Sequence, residues 1–298
     1  MSILSNVTKG KIQRPHLLLI YGPDGQGKSS LAAGAPAPIF LGAEDGTNHL
    51  DTSRVGIPNL KALHQVLGEL AGDGHDFKTA VFDTLDWMER LVYADVIANW
   101  PTPITSIDDP GYGKGRVRAF ELWNEILPKI EKLRSRGMHT VALAHSMVKK
   151  FEDPTTPQGY ERYSLKLQDG AKSDVAGLWR EFVDAVLFLN TEVVVSKDDK
   201  RRGFGDGARV LYTERRPGFD AKNRLGLPLE IRLPYEKDPA KVPAAMWGAL
   251  EAELTKSTPA AVNPEDLKKL AEQVTDAKLR QTVLDTIKAA GEDQQQLA

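Results

Sequence analysis

A glycine-rich stretch near the start of the chain, IYGPDGQGKSSLA, holds the first residues whose types and spacing could do chemistry. Gly22, Gly27, Lys28 and Ser29 fit the pattern G-x-x-x-x-G-K-[ST]. Glycine lets the backbone turn its N–H groups toward a phosphate, lysine supplies a positive charge, and the serine hydroxyl can bind Mg²⁺. The pattern predicts a phosphate-binding loop for a nucleotide and its magnesium ion. The residues predicted to contact the nucleotide are Gly22, Pro23, Asp24, Gly25, Gln26, Gly27, Lys28, Ser29 and Ser30.

A second candidate for the magnesium site is the carboxylate that ends the apolar stretch TAVFD. Asp83 at this position could hold the ion through water, opposite the Ser29 hydroxyl. Asp86 follows three residues later and fits equally well as the N-cap of the next helix. We therefore expect Asp83, together with Ser29, to bind the magnesium ion.

Two adjacent carboxylates, Glu44 and Asp45, follow another short apolar stretch, PIFLG. A carboxylate at the end of a strand beside the phosphates could polarise a water molecule for attack. Glu44 is the first candidate for this base and Asp45 the alternative. The base-reading motif N-K-x-D of GTPases is absent from the sequence, which favours adenine and hence ATP.

The elements that must position these residues are short apolar strands alternating with helices. The predicted strands are residues 16–20, 38–42, 79–83, 139–144 and 184–190, each a run that suits a strand buried on both faces. Residues 117–136 carry apolar side chains at three- and four-residue intervals, as an amphipathic helix requires. This alternation predicts an α/β fold with a mostly parallel, doubly wound sheet. Three later segments predict antiparallel strands at the sheet edge, and two long connections, beginning at Trp100 and Ser146, are predicted to be irregular.

The bulk properties are those of a folded protein of the cytoplasm. The chain has 298 residues, a formal net charge of −2 and no cysteine, so disulfides and cysteine-bound zinc are excluded. No apolar run reaches the length of a membrane-spanning helix, and the first residues lack the apolar centre of a secretion signal. The predicted organisation is an N-terminal extension (1–13), a core (14–235), a C-terminal helix of that core (236–254), a linker (255–264) and a helical tail (265–298).

Together, these motifs resemble the RecA-like ATPase core. The resemblance implies that Glu44 is the catalytic base and that His145, at the end of HTVALAH, contacts the terminal phosphate as a sensor. It also implies that Lys222 and Arg224, in the turn AKNR, reach the ATP of a neighbouring subunit. Such a site is complete only in an oligomer, either a ring or a filament.

More narrowly, residues 14–235 resemble a phage family of short RecA-like ATPases, some of which anneal single strands. This resemblance implies a cytoplasmic phage protein of the bacterial host that binds ATP, Mg²⁺ and single-stranded DNA, with a single-strand-binding protein as a further candidate partner. Two segments combine basic and aromatic side chains, a mixture that suits the binding of single-stranded DNA. Its members are Tyr112, Lys114, Arg116, Lys149, Lys150, Tyr160, Arg162 and Tyr163. These side chains suit subunit contacts equally well, and a remodelling or packaging motor and a non-hydrolysing annealing scaffold are the rival functions.

Overall fold

The apolar stretches of the sequence form neighbouring strands of one large sheet. The structure is a computed structural model, and it describes residues 12–42, 47–48, 50–153, 158–192, 194–195, 203–204 and 207–257. The predicted helical tail, the linker beyond residue 257 and the first 11 residues of the predicted N-terminal extension lie outside these ranges.

The helices and strands have the following bounds. The helices are α1 (Lys28–Ala33), α2 (Leu60–Leu70), α3 (Leu85–Ala98), α4 (Lys114–Ser135), α5 (Val175–Phe182) and α6 (Val242–Ser257). The strands are β1 (Leu17–Gly22), β2 (Pro38–Gly42), β3 (Ser53–Gly56), β4 (Thr79–Asp83), β5 (His139–Phe151), β6 (Tyr160–Leu165), β7 (Asp169–Gly170), β8 (Ser173–Asp174), β9 (Ala185–Thr191), β10 (Val194–Val195), β11 (Gly203–Phe204), β12 (Arg209–Tyr212), β13 (Lys222–Asn223) and β14 (Glu230–Leu233).

The strand order of the main sheet is β14-β12-β9-β1-β5-β4-β2-β3. All neighbours from β9 to β3 are parallel, whereas β12 is antiparallel to β9 and β14 is antiparallel to β12. This arrangement confirms the predicted α/β fold with a mostly parallel sheet and antiparallel strands at its edge. Because β1 lies between β5 and β9, the loop that follows β1 has a neighbouring strand on either side.

Side chains of β1 alternate between two apolar cores, one on each face of the sheet. Leu17, Leu19 and Tyr21 pack with α2, α3, α4 and α5. Leu18 and Ile20 point to the other face, where they pack with α1 and α6. Burial on both faces explains why the strand reads as a continuous apolar run. None of the helices in the described ranges combines the length and apolar character needed to cross a bilayer.

The second long connection is less irregular than predicted. β5 continues past residue 144 to Phe151 and pairs with β6 in an antiparallel hairpin. The prediction of an irregular segment from Ser146 was therefore wrong over much of its length. Hydrogen bonds between β5 and β6 stabilise both strands, although the mixed composition of the segment is not typical of strands. Residues 154–157, between the two strands, lie outside the described ranges.

Candidate functional site

Backbone geometry in the loop after β1 explains its glycines. Gly22 ends β1, and a side chain there would overlap the carbonyl oxygen of Leu189 on β9. Gly25 and Gly27 have φ angles of 72° and 89°, in the left-handed region that glycine adopts readily. The segment comprising residues 22–29, called the phosphate loop below, thus has the glycine-dependent shape that its motif predicts.

Lys28 folds back over the phosphate loop. Its ammonium nitrogen donates to the carbonyl oxygens of Gly22, at 3.0 Å, and Pro23, at 2.9 Å. The side chain is buried, so its charge is held against the backbone of the loop. A compact point charge in this position fits the β- and γ-phosphates of a nucleotide.

Ser29 and Asp83 meet at the site predicted for magnesium. The Ser29 hydroxyl donates to Oδ2 of Asp83 at 2.9 Å, although 54 residues separate them. Burial raises the pKa of Asp83, against the opposing effects of the Ser29 hydrogen bond and the nearby charges of Lys28 and His145. A cation bound beside this carboxylate would favour its ionised form, so the pair fits Mg²⁺.

His145 lies beside the phosphate loop, where β5 is in register with the end of β1. His145 pairs with Gly22, and its Nε2 lies 3.3 Å from Oδ1 of Asp24. Its backbone N–H donates to Asp86 at 3.0 Å, and its Nδ1 lies 2.9 Å from the other oxygen of the same carboxylate. The imidazole is therefore fixed with Nδ1 toward Asp86 and Nε2 toward the phosphate loop.

The helix-capping role considered for Asp86 is wrong. Thr84 is the N-cap of α3, and Asp86 lies inside the first turn with a buried side chain. Burial alone would raise the pKa of Asp86, but hydrogen bonds from the His145 ring and amide outweigh burial and lower it. An ionised Asp86 accepts the Nδ1–H of His145. The sequence shows that Asp86 lies close to Asp83 along the chain. The contact between Asp86 and His145 of β5 could not be predicted, because it depends on the order of the strands in the sheet.

Glu44 and Asp45, the candidate bases, lie outside the described residues. The preceding strand β2 ends at Gly42, which pairs in register with Asp83. The choice between the two carboxylates stays a prediction.

Lys222 and Arg224 do not lie at the phosphate loop of their own chain. Lys222 pairs with Val186 near the start of β9, whereas the phosphate loop follows the opposite ends of the parallel strands. The Lys222 ammonium donates to three carbonyl oxygens at the end of α5, those of Arg180, Glu181 and Val183, at 2.6 to 3.0 Å. Burial and the charge of Arg224 lower the pKa of Lys222. Arg224 is exposed, so of the two it is the better placed to reach another molecule.

Three of the residues predicted to bind DNA lie around the start of α4. Tyr112 is fully exposed, with a φ of 51°, and Lys114 is exposed beside it. Arg116 forms a two-bonded ion pair with Asp108, at 2.7 and 2.9 Å. Tyr112 and Lys114 are thus available to a partner, whereas Arg116 joins the start of α4 to the preceding loop at Asp108.

The other predicted DNA contacts belong to the β5–β6 hairpin. Lys149 pairs with Asp169 at 2.6 Å, and the more exposed Lys150 pairs with Glu152 at 3.3 Å. The aromatic rings pack within the fold, Tyr160 against Phe151 and Tyr163 against Phe188. Arg162 is only 5% exposed and pairs with Asp220, so the expectation of a surface guanidinium at this position is corrected. Successive side chains of a strand point to opposite faces, so Arg162 points away from the face of the exposed Glu161 and is buried.

The family that the sequence matches agrees with the motif of the phosphate loop. Residues 14–225 match the family described as an AAA domain. Among solved structures, the flagellar accessory protein FlaH from Methanocaldococcus jannaschii is 12% identical, with a TM-score of 0.38 over 76% of this chain and 88% of that one. No curated protein matches the sequence.

Proposed function

The chain belongs to the AAA-domain family, and we propose that it is a magnesium-dependent ATPase that couples ATP binding and hydrolysis to the binding of single-stranded DNA. The observation that carries the ATPase proposal is the hydrogen bond between Ser29 and Asp83 beside a lysine held over the phosphate loop. Family membership and this geometry support nucleotide binding independently.

Each group has a separate task in the proposed reaction. Lys28 neutralises charge on the phosphates, and Ser29 and Asp83 hold the metal, which supplies electrophilic assistance when it is bound. His145, held by Asp86, directs Nε2 to the loop and is suited to contact the terminal phosphate. We assign the activation of water to Glu44, with Asp45 as the alternative.

DNA binding is proposed for Tyr112, before α4, and for Lys149 and Lys150 of the hairpin. Exposed aromatic and basic groups favour single strands because base stacking and phosphate neutralisation need no particular sequence. β5 connects His145 directly to the hairpin, so a change at the phosphate loop has a short structural route to the lysines. We further propose that this activity serves phage recombination or replication, a proposal that rests on the resemblance of the sequence to phage annealing ATPases.

We also propose an oligomeric enzyme in which Arg224, with Lys222, acts on the neighbour's ATP. Both side chains lie at the opposite ends of the strands from their own phosphate loop, which is compatible with action between subunits. In a mixture of Arg224→Ala and Glu44→Gln, some interfaces would pair an intact glutamate with an intact arginine. Recovered activity would support shared sites, whereas no recovery in an intact assembly would argue against them.

DNA-dependent turnover separates this function from its rivals. We expect single-stranded DNA to stimulate ATP hydrolysis by the wild type and to stimulate Tyr112→Ala less, because that variant loses the exposed stacking ring. Stimulation by duplex DNA or by a protein alone would favour a motor. Single-strand annealing that needs ATP but continues without hydrolysis would favour a scaffold.

A further inference from the structure

The two sides of the phosphate loop carry different groups. On the β5 side lie Asp83, Asp86 and His145, which suit the metal and the terminal phosphate. A triphosphate whose terminal group faces that side must extend its α-phosphate toward the other side of the loop. That other side is formed by β9 and β12.

Arg209 lies against the phosphate loop on this second side. A methyl group placed on Gly27 would lie 3.4 Å from Nη1 of Arg209 and 3.5 Å from the central guanidinium carbon. Within the described part of the chain, this guanidinium makes a long hydrogen-bond contact, 3.9 Å from Nη1 to the sulfur of Met246. A thioether is a weak acceptor and carries no charge to balance an arginine.

Thr191 fixes the adjoining part of the loop. It pairs in register with Arg209, so the two side chains lie on the same face of the sheet. The Thr191 hydroxyl donates to Oε1 of Gln26 at 2.6 Å. The paired strands β9 and β12 therefore both contact the phosphate loop. Thr191 of β9 binds Gln26, and Arg209 of β12 lies beside Gly27.

We propose that Arg209 binds the α-phosphate of the nucleotide held by the phosphate loop of the same chain. An arginine makes charge-assisted hydrogen bonds to phosphate oxygens, and the half-buried position of Arg209 limits competition from water. The inference rests on the proposed nucleotide binding and adds a ligand to that site. Thr191 is a positioning residue, since it acts through Gln26.

The test is the affinity for ADP and for a non-hydrolysable ATP analogue, measured by titration in the presence of Mg²⁺. Arg209→Gln should weaken both by about tenfold, because the α-phosphate is common to both ligands. Arg209→Lys should bind more tightly than Arg209→Gln, since it keeps the charge but loses the planar fork. Arg118→Gln, a change at an exposed arginine of α4, is the matched control and should bind like the wild type.

Other outcomes overturn the proposal. Unchanged ADP affinity in both Arg209 variants would show that the guanidinium only packs against Met246, and a loss confined to the ATP analogue would place it at the terminal phosphate. Thermal unfolding without nucleotide identifies a variant that fails to fold, and Arg209→Lys then carries the test. Failure of the wild type to bind either ligand would instead refute the proposed function.

Discussion

Glu89 is a buried carboxyl group whose ionisation should oppose folding. It lies on α3 one turn after Asp86, and its Oε1 accepts the backbone N–H of Gln168 at 3.0 Å. Burial raises the pKa of Glu89 from 4.5 to about 7, because the hydrogen bond from Gln168 only partly offsets the loss of water. We expect Glu89→Gln to stabilise the protein above pH 7, since glutamine can keep the acceptor oxygen without the charge.

The pKa shift sets the size of this effect. The folded state holds the Glu89 proton more tightly than the unfolded state, so the free energy of unfolding falls as the pH rises from 4.5 to about 7 and then levels off. At roughly 1.4 kcal/mol for each tenfold change in proton affinity, the loss amounts to about 3 kcal/mol. The advantage of Glu89→Gln should therefore grow from near zero below pH 4.5 to about 3 kcal/mol at pH 8.

Urea unfolding at several pH values between 4.5 and 8 measures this difference directly. Glu69→Gln, at an exposed position on α2, is the control and should run nearly parallel to the wild type. Parallel profiles for Glu89→Gln and the wild type would instead show that Glu89 ionises as readily in the folded protein as in the unfolded chain.

Three further predictions follow from other contacts. Asp86→Asn should lower turnover at saturating ATP by roughly tenfold, because the histidine it holds loses a charged partner; an unchanged kcat would contradict that role. Gly34→Ala should lower the free energy of unfolding by about 1–3 kcal/mol in urea, since the new methyl group would overlap the Pro243 carbonyl and push α6 from α1; equal stability would show that the helices can separate freely. Replacing Lys149 and Lys150 with alanine should weaken single-strand binding and flatten its salt dependence, and an unchanged slope would remove them from the interface.

Local patterns were enough to predict the phosphate loop and the strands that carry it. The glycines of the loop and the apolar runs of β1, β4 and β9 each determine the conformation of a few neighbouring residues. Each feature can therefore be recognised in one short stretch of the sequence. The meeting of Ser29 with Asp83 followed from the same logic, because the carboxyl ends of parallel strands share one edge of the sheet.

Contacts set by strand order could not be predicted in this way. Arg209 is 182 positions after Gly27, and it reaches the loop only because β12 pairs with β9 and β9 pairs with β1. The β5–β6 hairpin could not be predicted for a related reason. The hydrogen bonds between its two strands depend on their pairing rather than on the local propensity of either segment. The pairing of Asp86 with His145 likewise requires α3 and β5 to be adjacent.

The phosphate loop is proposed to bind and hydrolyse ATP. This is tested by Mg²⁺-dependent phosphate release from ATP by the wild type, Lys28→Ala and the control Lys61→Ala, whose lysine is exposed on α2. We predict that the wild type and Lys61→Ala hydrolyse ATP at similar rates, whereas Lys28→Ala loses activity by about 100-fold or more, since the phosphates lose the ammonium held over the loop. Turnover by Lys28→Ala at the wild-type rate would show that the phosphate loop takes no part in ATP hydrolysis.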